Sequence, residues 1–306
     1  MWRSFHTAFK GPAQARAQHR QLLKGYTGIG SGLAALEAIS PAPKNDPVAP
    51  IFLLSAGWRS GSTLMQRLIM SDKRVLIWGE PYDECATIQA MADTLKAFRP
   101  GWPPAEYFYD GTPPEQLTGS WIANLFPAPA ALWHAHRDFY DSLFDVPATR
   151  SGAARWGIKE VRLGIEHARY LRWLYPNARF VLLYRNPLAA YRSYCSYGRS
   201  WYDSFPDRPM FTPTAFGAHW RRLMEGYLQG ADALGALLVR YEDLIGPNPP
   251  LAALDAYLDI HTDPDVLNKK VGSSERGGEK SRVNLLERWL LKRAVGPVAA
   301  KLGYDW

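Results

Sequence analysis

The segment that most restricts the fold is Pro50-Ile51-Phe52-Leu53-Leu54-Ser55, followed by Ala56-Gly57-Trp58-Arg59-Ser60-Gly61-Ser62-Thr63 and then by Leu64-Met65-Gln66-Arg67-Leu68-Ile69-Met70. The first run is apolar almost throughout, which suits a strand buried on both faces of a parallel sheet. Gly57 and Gly61 mark a loop, and from Thr63 to Met70 the apolar residues recur at helical spacing. A loop that leaves a strand and opens a helix aims backbone N–H groups at one point, where the positive end of the helix dipole also lies. Ser60, Ser62 and Thr63 add hydroxyls, and Arg59 adds a fixed positive charge. The segment is a candidate phosphate cradle. It is not a Walker A loop, because Gly57 and Gly61 enclose only three residues and no lysine precedes the Ser/Thr pair. Upstream, Gly28-Ile29-Gly30-Ser31-Gly32 suggests a dinucleotide fingerprint, but no strand precedes it and its third glycine is misplaced. It reads as a break, across Tyr26–Gly32, between short helices within 13–39.

Further short apolar runs stand at Arg74–Trp78, Trp156–Lys159, Phe180–Tyr184 and Ala236–Arg240. Helical patterns separate most of them, as at Ile165–Leu174 and Phe216–Leu234. The alternation predicts an α/β fold, a P-loop-like three-layer α/β/α arrangement around a central, mostly parallel sheet. Ser40-Pro41-Ala42-Pro43-Lys44-Asn45-Asp46-Pro47 reads as a linker. The expected organisation is therefore a helical arm and linker over 1–49 and one domain over 50–306, with an insertion at about 85–155. The insertion is rich in aromatics: Trp102, Tyr107, Phe108, Tyr109, Trp121, Phe126, Trp133, Phe139 and Tyr140. It reads as a helical subdomain with its own apolar core, placed near the carboxyl edge of the sheet where ligands bind in open α/β folds. Aromatics there are candidates to stack on a sugar or phenol.

Composition narrows the function classes. A hydrophobic content of 47% with 21% charged residues suits a soluble domain with a sizeable core. The net charge of +7 points to an anionic partner, a requirement met equally by nucleic acid, an acidic membrane, a nucleotide cofactor or an acidic acceptor. Two cysteines, Cys85 and Cys195, exclude a disulfide framework and read as two buried thiols in a reducing compartment. No H-E-x-x-H occurs, and His134 with His136 lacks the carboxylates that a zinc site needs, so no metal site is expected. Met1 to Lys24 contains no uninterrupted apolar run, and nowhere do about 18 apolar residues follow one another. These features predict a cytoplasmic protein without a transmembrane segment.

A second motif is Phe180-Val181-Leu182-Leu183-Tyr184-Arg185-Asn186-Pro187-Leu188-Ala189-Ala190-Tyr191-Arg192-Ser193. A buried strand ends in an arginine, turns at Asn-Pro and starts a helix that carries a serine. Arg185 offers a planar fork of donors for a second phosphate, and Ser193 a hydroxyl. Together the two motifs resemble the PAPS-dependent sulfotransferase family, which uses 3′-phosphoadenosine-5′-phosphosulfate (PAPS) as donor. Arg59-Ser60-Gly61-Ser62-Thr63 is similar to the family's 5′-phosphosulfate loop, and Arg185 through Ser193 to its 3′-phosphate element, with the spacing kept. Other segments resemble the tyrosylprotein and Golgi-type branch: Val75–Glu80 its strand ending in Gly-Glu, Gly157–Glu160 its strand bearing a lysine, and Val239–Leu244 its tyrosine segment. Ser273, Ser274 and Arg288 resemble parts of its cofactor-covering loop and following helix, and Lys301–Asp305 its C-terminal signature. Residues 1–49 and most of 85–155 lie outside the resemblance. The chain departs from the branch in having no membrane anchor, no luminal cysteine pairs, and Gly277-Gly278 in the covering loop.

The resemblance implies in-line transfer of a sulfuryl group from PAPS to a hydroxyl or amine, with PAP (3′,5′-ADP) released. It assigns Glu80 as base and Arg59 and Lys159 as cations around the migrating group. Arg59, Ser60, Gly61, Ser62, Thr63, Arg185, Ser193, Tyr241, Ser273, Ser274 and Arg288 are the implied donor-binding residues. Rival bases are Asp83, Glu160, His134 and His136. The aromatic insertion points to a carbohydrate or small-molecule acceptor, with a peptide tyrosine as the alternative. No nucleic-acid partner is expected, and a homodimer is left open. Two other classes fit parts of the pattern. A P-loop-like small-molecule kinase would need magnesium and ATP, and a non-catalytic nucleotide-binding module would be indifferent to Glu80→Gln.

Overall fold

The structure is a computed structural model and describes residues 28–43, 46–82, 85–196, 212–269 and 283–304, with Ala17 and Met210. β1 (Ile51–Ser55) carries five buried residues in succession, which a strand tolerates only when both its faces are covered. It lies at the centre of a five-stranded sheet. β2 (Val75–Trp78), β3 (Arg155–Glu160), β4 (Arg179–Tyr184) and β5 (Leu237–Arg240) complete the order β2-β3-β1-β4-β5, with every pairing parallel. Leu54 faces Glu160 on one side and Leu182 on the other, Trp78 faces Ile158, and Tyr184 faces Arg240. Because the strands run in one direction, all five carboxyl ends emerge at a single edge.

The longer helices among the described residues are α1 (Ile29–Ile39), α2 (Ser62–Ile69), α3 (Thr87–Asp93), α4 (Pro129–Tyr140), α5 (Ile165–Leu174), α6 (Pro187–Cys195), α7 (Pro213–Leu234), α8 (Leu251–Leu258) and α9 (Leu285–Lys301). Ile51, Leu53, Ile77, Val181, Leu183 and Val239 share one core with Met65, Leu68 and Ile69 of α2 and Leu254 and Leu258 of α8. Alternation along the strands sends the next residues to the opposite face. There Phe52 meets Trp156, Tyr175 and Phe180 at centroid distances of 6.0, 6.0 and 5.3 Å, beneath α5 and α7. Helices thus cover both faces, the three-layer α/β/α architecture read from the alternating pattern. Helix ends follow local chemistry: Thr212 caps α7 at Ala215 N, and Gly235 closes it in the left-handed conformation. No helix among the described residues is long and apolar enough to cross a membrane.

Contacts divide the chain into two units, Met1–Ala42 with Ala90–His134, and Pro43–Gln89 with Ala135–Trp306. In the first, α1 packs on a 3₁₀ turn, Thr94–Ala97. The expected helix break across Tyr26–Gly32 is corrected over its second half: α1 begins at Ile29 after an extended Gly28 and passes through Gly30 and Gly32, while Tyr26 and Thr27 lie outside the described residues. A β carbon on Gly32 would stand 2.0 Å from the Leu95 carbonyl oxygen, so this glycine serves a close approach between elements and not a break. Trp102, Tyr107 and Phe126 form an aromatic chain in the same unit, with Trp121 82% exposed.

The second unit claims the end of the aromatic segment. After Tyr140 a π-turn (Asp141–Asp145) leads into Val146–Arg150, Phe144 stacks on Trp156 at 5.9 Å, and Trp78 Nε1 donates to the Phe144 carbonyl. The expectation of two buried thiols is also corrected. Neither cysteine is in a disulfide, and Cys85 is exposed and Cys195 only partly covered.

Candidate active site

The loop after β1 is built by three residues in the left-handed region: Gly57 (φ 87°), Arg59 (φ 62°) and Gly61 (φ 90°). Gly61 lies immediately before α2, and a β carbon there would stand 2.2 Å from Tyr241 Cδ2. Both the backbone angle and the space therefore require glycine. Ser60 is buried and donates its hydroxyl to the Gly57 carbonyl at 3.0 Å, bracing the turn from within. Ser62 is buried in the first turn of α2, and Thr63 beside it is exposed.

The second motif starts where β4 ends. The Asn186 side chain accepts from Leu188 N at 2.9 Å and Ala189 N at 3.1 Å, and Pro187 occupies the first helical position, so α6 begins at once. This sets Ser193 towards the β1 loop. Arg59 Nε donates to Ser193 Oγ at 2.9 Å, and Arg185 Nη1 donates to the Arg59 carbonyl at 3.0 Å. The Arg185 guanidinium lies over the Tyr241 ring at 4.4 Å. Arg59, Gly61, Arg185, Ser193 and Tyr241, scattered over 183 positions of sequence from 59 to 241, thus meet at one place. Arg185 Nε is buried there without a hydrogen-bond partner among the described residues.

At the ends of β2 and β3, Lys159 Nζ donates to Glu80 Oε1 at 2.5 Å. The lysine side chain is 9% exposed and the glutamate 22%, so the carboxylate keeps a path to solvent. Glu160 is in a different position. It pairs with Arg162 at 2.7 Å, with both side chains 1% exposed, and also accepts from Val161 N and Arg162 N. Burial pushes its carboxyl above the ordinary range while Arg162 pulls it back. Glu160 is a locked structural acid, not one open to an acceptor. His136 is buried with Nδ1 2.9 Å from Tyr170 OH, and burial lowers its pKa. His134 is exposed beside Trp133 in the other unit.

Arg288 stands half-buried in the first turn of α9, and none of the loop residues is its hydrogen-bond partner among the described residues. Asp83, Ser273 and Ser274 lie outside the described residues. Three supporting residues escaped the sequence reading. Glu242 accepts from Asn186 N at 2.9 Å and from Tyr304 OH at 2.8 Å, tying the start of α6 to the chain's last described residue. Burial and the Glu242 carboxylate raise the Tyr304 phenol above its usual range, consistent with its donating role. His219 and Trp220 of α7 contact Trp58 and the Arg185 carbonyl. Only Glu242 left a signal, as an acid directly after the flagged tyrosine.

Among the described residues no group of three or more His, Cys, Asp or Glu is placed to hold a metal ion. The cluster suits a phosphorylated ligand: a cradle that a single β carbon would fill, a buried guanidinium N–H in need of an acceptor, and Lys159 nearby on the same sheet edge.

Residues 50–264 match the model of a family described as the sulfotransferase family. In structure the chain is similar to the sulfotransferase domain of the Synechococcus PCC 7002 olefin synthase, at 18% identity and TM-score 0.45, covering 87% of this chain and 99% of that one. It is similar to the sulfotransferase domain of the curacin biosynthetic pathway at 14% identity and TM-score 0.48, covering 85% and 99%. A sulfotransferase from Mycobacterium avium aligns at 14% identity and TM-score 0.45, covering 90% and 81%. No curated protein matches the chain in sequence.

Proposed function

The chain belongs to the sulfotransferase family, and from that premise we propose that it moves a sulfuryl group from PAPS to a hydroxyl or amine of an acceptor, releasing PAP. The observation that carries this reading is the meeting of two phosphate-type motifs, through Arg59 Nε on Ser193 Oγ and Arg185 Nη1 on the Arg59 carbonyl. One phosphate site alone suits any nucleotide. Two joined sites suit a nucleotide phosphorylated at both ends.

In this reading the N–H groups and hydroxyls of residues 59–63 hold the 5′-phosphosulfate, Arg185 and Ser193 the 3′-phosphate, and the Tyr241 ring packs beside them. Bound PAPS supplies a sulfuryl group already attached to a good leaving group. The protein's task is to orient the acceptor, take its proton and set cations around the charge that shifts. Glu80 takes the proton on Oε2, the oxygen opposite the one held by Lys159 Nζ. Lys159, by donating to Oε1, holds the carboxylate in place, and with Arg59 provides the positive charge. Ser273, Ser274 and Arg288 are proposed to complete the donor site.

The acceptor is proposed as a carbohydrate or small-molecule hydroxyl, the reading that the aromatic-rich composition of residues 85–155 supports. Incubation with PAPS labelled in the sulfuryl group and a panel of glycans, phenols and tyrosyl peptides tests the reading. Label is expected in a hydroxyl product, and 3′,5′-ADP is expected to inhibit. Equal protection by ATP with magnesium, or transfer unaffected by Glu80→Gln, would overturn it.

A further inference from the structure

Two adjacent residues of α7 touch the two halves of the proposed donor site separately. The His219 ring, 5% exposed, stacks on the Trp58 indole of the β1 loop at 5.1 Å with 27° between planes. Its edge also walls in Gly57: a β carbon at that left-handed residue would stand 3.5 Å from His219 Cδ2 and 3.9 Å from Nε2. Trp220, 1% exposed, donates its Nε1 to the Arg185 carbonyl at 3.2 Å, where β4 gives way to the second motif.

The tautomer of His219 follows from its neighbour. Arg222 Nη2 lies 3.0 Å from His219 Nδ1, and a guanidinium only donates, so Nδ1 accepts and the ring proton sits on Nε2. The ring is thereby neutral, oriented, and held flat beneath the loop. Successive helical side chains diverge by about 100°, which lets neighbours on α7 reach the ends of β1 and β4, themselves adjacent strands. The helix in turn is seated against α9, where a β carbon on Gly217 would lie 2.7 Å from Ala294 Cβ.

We propose that His219 and Trp220 are positioning residues, His219 seating the 5′ loop on which any 5′-phosphorylated nucleotide depends and Trp220 seating the 3′-phosphate element, so that Trp220 sets the preference of the site for a nucleotide phosphorylated at both positions. The proposal rests on the donor reading given above. His219 acts through Trp58 and Gly57, and Trp220 through the carbonyl of Arg185; neither needs to touch the ligand.

Calorimetric binding of 3′,5′-ADP and 5′-AMP to the full chain tests this. The wild type is expected to prefer 3′,5′-ADP. His219→Ala is expected to weaken both nucleotides by about tenfold, since each uses the 5′ loop, and His219→Phe, which keeps the stacked ring, by about threefold. Trp220→Phe is expected to weaken 3′,5′-ADP by about fivefold while 5′-AMP stays within about twofold, lowering the ratio of the two affinities. Because the ratio is read on folded, binding-competent protein, a loss of stability does not enter it. Wild-type affinities in His219→Ala, or equal losses of both nucleotides in Trp220→Phe, would overturn the proposal while leaving the donor reading intact. A wild type that does not distinguish the two nucleotides would overturn the donor reading and this proposal with it.

Discussion

Glu80 and Lys159 join the ends of two neighbouring strands, with Lys159 Nζ donating to Glu80 Oε1 at 2.5 Å. Lys159 also faces Leu53 of β1 in the register, so its ammonium stands one strand from the glycine loop. An ion pair with side chains 9% and 22% exposed is screened less than a surface pair and has some of its charge removed from water. The contact couples the proposed base to the proposed cation and leaves the second carboxylate oxygen, Oε2, for an acceptor proton.

That coupling makes Glu80→Gln an informative substitution. The amide oxygen still accepts from Lys159, so the local structure is retained, but the side chain no longer takes a proton. Turnover is expected to fall at least about a hundredfold, the usual scale for a general base. The Kd for 3′,5′-ADP is expected to stay within about twofold of wild type. Single-turnover transfer and calorimetry on the same preparation measure both quantities, and unchanged turnover would remove Glu80 from the chemistry.

The neighbouring acid should respond differently. Arg162→Leu leaves Glu160 buried with its charge partner removed, which for such pairs costs about 3–5 kcal/mol. For a chain of this size that corresponds to a fall in Tm of roughly 5–8 °C. Glu160→Gln keeps the backbone contacts and is expected to cost less, with turnover at a permissive temperature near wild type. If Glu160→Gln instead abolished turnover without lowering Tm, the base would be Glu160. Thermal unfolding beside initial rates separates the two outcomes.

Sequence legibility followed the range of the interactions. β1 and β4 were readable because a strand covered on both faces must be apolar along its whole length, as Ile51–Leu54 and Phe180–Leu183 are. Each of the two motifs proposed to hold phosphate could be picked out because its spacing is local. Their meeting could not, since Arg59 and Ser193 are 134 residues apart and no periodicity encodes that contact. Gly32 was misread because a glycine that admits the Leu95 carbonyl leaves the same mark as one that ends a helix. The aromatics near 140 misled in the same way: Phe144 packs on Trp156 of the sheet, but its ring is no different in sequence from rings that pack on one another. His219 and Trp220 lay within the apolar stripe of an amphipathic helix, where a positioning role adds nothing to the pattern.

Gly61→Ala tests the cradle directly. The added methyl meets the Tyr241 ring, and the residue must hold a backbone angle that alanine disfavours. Strain of roughly 1–3 kcal/mol is expected from each source. The predicted result is at least about tenfold weaker 3′,5′-ADP binding together with a Tm lower by several degrees. Adding Tyr241→Ala should relieve the clash but not the backbone strain, so Tm should recover only in part. Full recovery would mean that the angle at position 61 costs little.

Stability should also carry a signature of the buried imidazole at the β3 side of the sheet. Burial lowers the pKa of His136 from its ordinary 6.5, while the unfolded chain keeps the ordinary value. Below pH 6.5 the unfolded state therefore binds a proton that the folded state refuses, and the equilibrium shifts towards unfolding. The contribution is fully present above pH 6.5, declines as the pH falls, and is exhausted once the pH passes below the folded pKa. His136→Phe keeps a ring against Tyr170 and Trp173 but cannot titrate. Urea unfolding between about pH 5 and 7.5 is expected to show a steeper acid-side loss in wild type than in His136→Phe, by up to one proton in the slope. Identical slopes would mean that His136 takes up its proton equally in both states, and that its burial among Tyr170 and Trp173 does not oppose the charge.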